Sequence, residues 1–166
     1  MADPVQDDLY ERDFYTWTQE QAARLRALRG HNAIDAERVA EEIADLGQER
    51  RDATQSNLER CLEHLVKLAV SPAMAPRGTW TSEARTFAKH ARRKFSPGMR
   101  QHLDLDAAWA DAVQSARDQL SDYGETLEIA PVACPFALDE LLDPAFDVET
   151  AVQRVAARMP SGRGER

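Results

Sequence analysis

From Asp35 to Ser71 the chain has no proline, and a single apolar stripe keeps a helical step throughout. Val39, Ile43, Leu46 or Gly47, Ala53 or Thr54, Leu58, Leu62, Leu65 or Val66, and Ala69 recur every three or four residues. The pattern predicts one helix of about 35 residues, roughly 50 Å long at 1.5 Å per residue. Asp35 is placed to cap its start. Ser71-Pro72 ends it, because a residue before proline disfavours the helical region. Gly47 lies inside, where glycine costs about 1 kcal/mol against alanine. It falls beside the stripe and reads as a close helix crossing, with a kink or a break as the alternatives.

A rod of this length needs partners, and the flanking sequence supplies helices. Alanine, leucine, arginine and glutamate dominate, and no stretch alternates in the manner of a strand. A first helix is expected from Asp7 or Asp8 to Gly30, opening on the aromatics Tyr10, Phe14, Tyr15 and Trp17 as packing anchors. Ser71 to Gly78 reads as a loop. A third helix, capped by Thr79 or Thr81, runs to Phe95. A fourth starts at Ser96-Pro97, with proline at the first helical position, and closes at Gly124. After a loop containing Pro131 come a short helix over Ala137–Leu142 and a last one from Asp147 to Met159. The expectation is an all-α, bundle-like array of four main helices around the long second one, plus short C-terminal helices. Residues 1–7 and 160–166 are expected to be disordered, and 8–159 to form a single domain.

The formal charge of −8 argues against general binding of nucleic acid or anionic membranes. It is unevenly spread, however: residues 77–102 hold seven basic side chains and one acid. Arg77, Lys89, Arg92, Arg93 and Lys94 are the candidate anion-binding residues in this block. Trp80 and Phe87 interleave with it, as a single-strand binder requires, although apolar spacing explains them equally well. No apolar run is long enough to span a membrane, and no secretory signal is visible at residues 1–8. A cytoplasmic location follows as the expectation, with Cys61 and Cys134 as reduced thiols.

Catalytic signatures are absent. There is no Gly-x-Ser-x-Gly elbow, phosphate loop or dinucleotide fingerprint, and no cofactor is implied. Cys134, beside Pro135, is the more reactive of the two thiols on paper, and Cys61 reads as inert core. Glu41, Glu42 and Asp45 can share a helix face. His64 stands farther along the same helix, where Glu63 and Lys67 can also share a face. His31, His90 and His102 lack ligand spacing, so no metal site is assigned.

Several motifs stand in a recognisable order: Leu9-Tyr10-Glu11-Arg12-Asp13-Phe14-Tyr15 with Trp17, Glu41-Glu42-Ile43-Ala44-Asp45-Leu46-Gly47 with Glu49-Arg50, and His64-Leu65-Val66-Lys67. Thr79-Trp80 follows, then Cys134-Pro135-Phe136 ahead of Leu141-Leu142-Asp143-Pro144-Ala145-Phe146. Together they closely resemble the domain-of-unknown-function 29 family of small bacterial proteins, over roughly residues 8–147. The resemblance implies an all-helical domain in a bacterial cytoplasm and implies no activity. Family members usually carry serine where Thr79 stands, and a proline soon after the final aromatic, where Asp147-Val148 stands. Residues 148–159 therefore read as an addition. The candidate functional cluster is Glu41, Glu42, Asp45, His64, Trp80 and Arg85. Two adjacent carboxylates beside a glycine crossing suggest a buried salt-bridge clasp, with Arg50 or Arg85 as partner. The leading functional expectation is a non-enzymatic interaction module that binds a protein partner or itself. Anion or nucleic-acid binding through 77–102 is the alternative. A metal-dependent hydrolase using Glu42, Asp45 and His64 is the second alternative.

Overall fold

The computed structural model describes residues 4–28, 34–126 and 133–158, with the side chains of 4–7 left aside. The expected stop at Gly30, His31, the loop at Pro131, the end at Met159 and the tail 160–166 lie outside them. The elements are α1 (Pro4–Arg12), α2 (Phe14–Ala27), α3 (Ala36–Val70), α4 (Arg77–Lys94), a 3-10 helix (Pro97–His102), α5 (Leu105–Asp122), α6 (Leu138–Leu142) and α7 (Val148–Ala156). No strand occurs among the described residues, so the all-α expectation holds. The chain divides into two compact units. Met1–Thr54 with Lys94–Leu103 form the first; Gln55–Arg93 with Asp104–Arg166 form the second.

In the first unit the expected opening helix is two. It begins at Pro4, earlier than Asp7, and breaks at Asp13. The cause is the Asp13 side chain, which accepts the Thr16 backbone N–H at 3.2 Å and so caps α2. Its other oxygen accepts the Thr16 hydroxyl and the Gly98 N–H, each at 2.8 Å. The Tyr15 N–H donates to Ser96 Oγ at 3.2 Å. The 3-10 helix is thereby tied to the start of α2. A side chain at Gly98 would run into the Thr16 hydroxyl. Of the aromatic opening, Tyr15 is buried, Phe14 and Trp17 are half-buried, and Tyr10 is 46% exposed. Tyr10, Phe14 and Trp17 pack on one another with centroids 4.8–5.9 Å apart.

α3 is continuous through Gly47, which excludes the break. A Cβ there would collide with the buried Thr18 hydroxyl and lie 3.1 Å from Gln19 Nε2. Gln19 Nε2 also donates to the Ala44 carbonyl at 3.4 Å. Gly47 is the point where α2 and α3 cross, and a side chain would force them apart.

In the second unit the row Leu58, Cys61, Leu62, Leu65, Val66 and Leu68 is buried. α4 presents Ala84, Ala88 and Ala91 at helical spacing, all buried. Small side chains on α4 let the two helices approach closely. α5 adds Trp109, Val113 and Leu120, and α6 and α7 add Leu141, Leu142, Val148 and Val155. Two expected boundaries move. α4 starts at Arg77 rather than Thr79, because Arg77 turns back to the Leu68 and Ser71 carbonyls at 3.0 and 3.4 Å, filling orphan acceptors at the end of α3. The expected fourth helix is the 3-10 turn followed by α5. Leu103 is extended, and Asp104 caps α5 by accepting the Ala107 N–H at 2.9 Å. Asp147 caps α7 and Gly124 follows α5 with φ +75°, both as expected.

Candidate functional site

Residues 61–68 (CLEHLVKL) are buried on every side of α3. Glu63, His64 and Lys67 are therefore drawn into the core, being 2%, 5% and 3% exposed. A buried charge is tolerated only when paired and hydrogen-bonded, and each of these finds partners. Lys67 Nζ donates to Glu63 Oε1 at 2.8 Å and to Gln119 Oε1 at 2.9 Å. Gln119 Nε2 donates to Glu63 Oε1 at 2.9 Å and to Ser115 Oγ at 3.1 Å. Ser115 Oγ donates to the second Glu63 oxygen at 2.9 Å. The four side chains make a closed polar network between α3 and α5. Burial pushes the Glu63 carboxyl up. The hydrogen bond and charge of Lys67, then Ser115 and Gln119, outweigh it and hold the group below the usual carboxylate value.

Lys67 has three N–H donors and two oxygen acceptors. The remaining side of its ammonium faces the Trp80 ring, 5.4 Å from the centroid. It also lines a pocket of about 480 Å³ with Trp80, Pro76, Gln119, Leu120 and Tyr123. Ala73 and Ala75 complete the apolar wall, and Glu125 adds a carboxylate whose Oε1 accepts from the Ser71 hydroxyl at 3.0 Å. One turn back on α3, His64 stacks parallel to Phe87 at 5.7 Å. Its Nε2 is 3.4 Å from Glu83 Oε2, and its Nδ1 is buried with no hydrogen-bond partner. Burial, then the Lys67 charge, holds the imidazole below its ordinary value against the pull of Glu63 and Glu83.

The sequence-derived cluster does not assemble as expected. His64 and Trp80 do border the Lys67 network. Glu41, Glu42 and Asp45 are all exposed on the first unit, so they are not a buried clasp. The clasp exists one segment later, as Glu63–Lys67. Arg50 lies over the Phe14 ring at 4.9 Å and donates to the Lys94 carbonyl at 2.9 Å. Arg85 is exposed on α4. Glu42 and Asp45 lie in the first unit and His64 in the second. No cluster of metal-ligating side chains occurs among the described residues, so nothing there supports the hydrolase reading with Glu42, Asp45 and His64. Within the basic block, Arg77 closes α3 and Arg92 donates to the Asp143 carbonyl at 3.2 Å. Lys89 and Arg93 are exposed on α4; Lys94 is exposed in the first unit. Cys134 is not an activated thiol: burial pushes it up to about 11, and Cys61 to about 12. Missed from the sequence were Glu63, Lys67, Ser115 and Gln119 as one network. Apolar neighbours surrounding Glu63 and Lys67 were the available signal.

Residues 9–147 match the model of the family described as Domain of unknown function DUF29. The chain belongs to that family. This DUF29 chain is also similar to an alpha-helical protein of unknown function from Rhodospirillum rubrum, solved by crystallography. The two share 27% identity with a TM-score of 0.77, over 87% of this chain and 96% of the other. No curated protein matches the DUF29 chain. No helix among its described residues is long and apolar enough to cross a membrane.

Proposed function

We propose that this protein is a non-enzymatic, small-molecule-binding helical module whose receptor is the Lys67 pocket. The observation that carries it is a buried ammonium that spends two donors on oxygen acceptors and turns its third side to the Trp80 ring, set in the wall of a mostly apolar pocket of about 480 Å³. Ligand sites have this composition: mostly apolar walls, a few fixed polar groups, and volumes of about 300–1,000 Å³. The network behind Lys67 supports its geometry without a ligand, so the site is preorganised. The non-enzymatic expectation is kept, and its object changes from a protein to a small molecule. A fragment screen by ligand-detected NMR tests it with wild type and Ala75→Trp, which fills the pocket from an exposed loop position. Hits that disappear in the variant are expected. No hits, or hits indifferent to the variant, refute the proposal.

Partner binding has its own observation. Val39 and Leu46, seven apart on α3, are 38% and 50% exposed. Glu42 and Glu49 flank them at helical spacing. An apolar pair bordered by carboxylates suits an amphipathic helix bearing basic residues. It disfavours the same face of a second copy, where carboxylates would meet carboxylates. Binding of a Leu/Lys model helix, lost in the Glu42→Lys/Glu49→Lys variant, is the expected result; equal binding by the variant would remove this reading.

A further inference from the structure

We infer that the Lys67 pocket takes a neutral, flat molecule bearing one strong hydrogen-bond acceptor, such as a ring or amide carbonyl, in preference to a carboxylate. The inference rests on the pocket reading above and specifies its ligand class.

Charge decides the first half. Lys67 would ordinarily draw an anion, but its charge is already matched by Glu63 at 2.8 Å, and both are almost sealed from water. Glu125 places a second carboxylate in the pocket wall. An incoming carboxylate would give up its hydration without meeting a net positive charge, and desolvating an ion is costly without such compensation. A neutral carbonyl loses far less hydration and competes only with the Trp80 ring for the third N–H. It leaves the Glu63–Lys67 and Gln119–Lys67 bonds intact, since an ammonium has three donors and these use two.

Shape decides the second half. Trp80 and Tyr123 contribute aromatic rings to the lining, and Pro76, Leu120 and the two alanines offer no polar side-chain atom. Flat apolar bodies gain most from such walls. A cavity that admits benzene measures about 150 Å³, so 480 Å³ has room for two fused rings.

The test uses three indoles of one size, titrated into the full chain by isothermal calorimetry: indole-3-carboxamide, indole-3-carboxylate and 3-methylindole. The carboxamide is expected to bind at least tenfold tighter than either of the others. Two variants probe the cause. Lys67→Met removes the donor, so the carboxamide falls to the 3-methylindole level. Glu63→Gln uncovers the Lys67 charge while keeping a side chain that can hydrogen-bond, so the preference turns toward the carboxylate. Glu63→Gln keeps the inference falsifiable should Lys67→Met fail to fold. A carboxylate that binds wild type as well as the carboxamide overturns the ligand class and leaves the pocket reading standing. An unchanged preference in Glu63→Gln does the same. If none of the three binds wild type, the pocket reading and the inference fall together.

Discussion

Replacing Lys67 by methionine leaves Glu63 in the core without its counter-charge. The Lys67 side chain is 4% exposed and that of Glu63 3%, so solvent compensates little for the lost charge. Breaking one partner of a buried pair costs about 3–5 kcal/mol. At about 2–4 °C per kcal/mol for a chain of this size, Tm falls by roughly 10 °C at pH 7. The pH dependence carries a sharper signature. In wild type the Glu63 carboxyl sits below its ordinary 4.5. Its contribution is therefore complete above that value, and is lost only as pH falls through the lower, folded value. In Lys67→Met the two largest lowering causes are gone, only the Ser115 and Gln119 hydrogen bonds still oppose burial, and the folded value rises. Protonation then relieves the variant as pH drops from 7 toward 5. The gap between wild type and variant must narrow over that window. Removing the Lys67 charge also eases protonation of His64, which narrows the gap further. The Glu63→Gln/Lys67→Met double variant separates the two effects, because it keeps the His64 change and lacks the carboxyl. It should recover most of the loss at pH 7, because the introduced glutamine can still bond Ser115 and Gln119. Urea unfolding followed by circular dichroism at pH 7, 6 and 5 measures all three proteins. A loss below about 1 kcal/mol for Lys67→Met, or a gap that stays constant with pH, refutes the buried-pair account.

Gly47→Ala should destabilise by about 1–3 kcal/mol through the clash with Thr18, overriding the helix-propensity gain of about 1 kcal/mol; a raised Tm would contradict the crossing. Asp13→Ala removes the α2 cap and the Gly98 contact, so a loss of about 1–2 kcal/mol is expected in the same assay, and a neutral result would show that the cap is dispensable. His64 should titrate below 6.5 by NMR, and the native protein should lose stability as pH falls below that value, because the unfolded chain then binds more protons; a midpoint at or above 6.5 would overturn its burial. Neither cysteine should react quickly with a disulfide reagent at pH 8 in the native protein, given values near 12 and 11, while both should react in denaturant; fast native labelling would be inconsistent with those values.

The helical pattern carries most of the architecture. α3 is legible from Val39 to Ala69 because its stripe is uninterrupted and both its ends carry strong signals. Boundaries shift where a distant group overrides local preference. Asp13 breaks the first helix because it also serves Gly98, and Arg77 begins α4 early because it serves carbonyls nine and six residues before it. The site is half legible. The adjacent carboxylates at 41 and 42 stand out in the sequence as a costly pair, yet they face solvent and cost little. Glu63 and Lys67 have the spacing of an ordinary surface pair. Their burial depends on α5, and nothing local to α3 names Ser115 and Gln119 as the groups that complete the pair.

The first unit is discontinuous in sequence, and synthesis order gives that a consequence. Tyr15 and Asp13 bond to Ser96 and Gly98, partners 81 and 85 residues downstream. At about 5–20 residues per second of translation, the start of α2 waits roughly 4–17 s before those groups exist. The ribosome therefore finishes α4 before the N-terminal unit can close. Until then the Tyr10, Phe14 and Trp17 cluster stands without the segment that ties it down, the interval in which a chaperone would meet this chain.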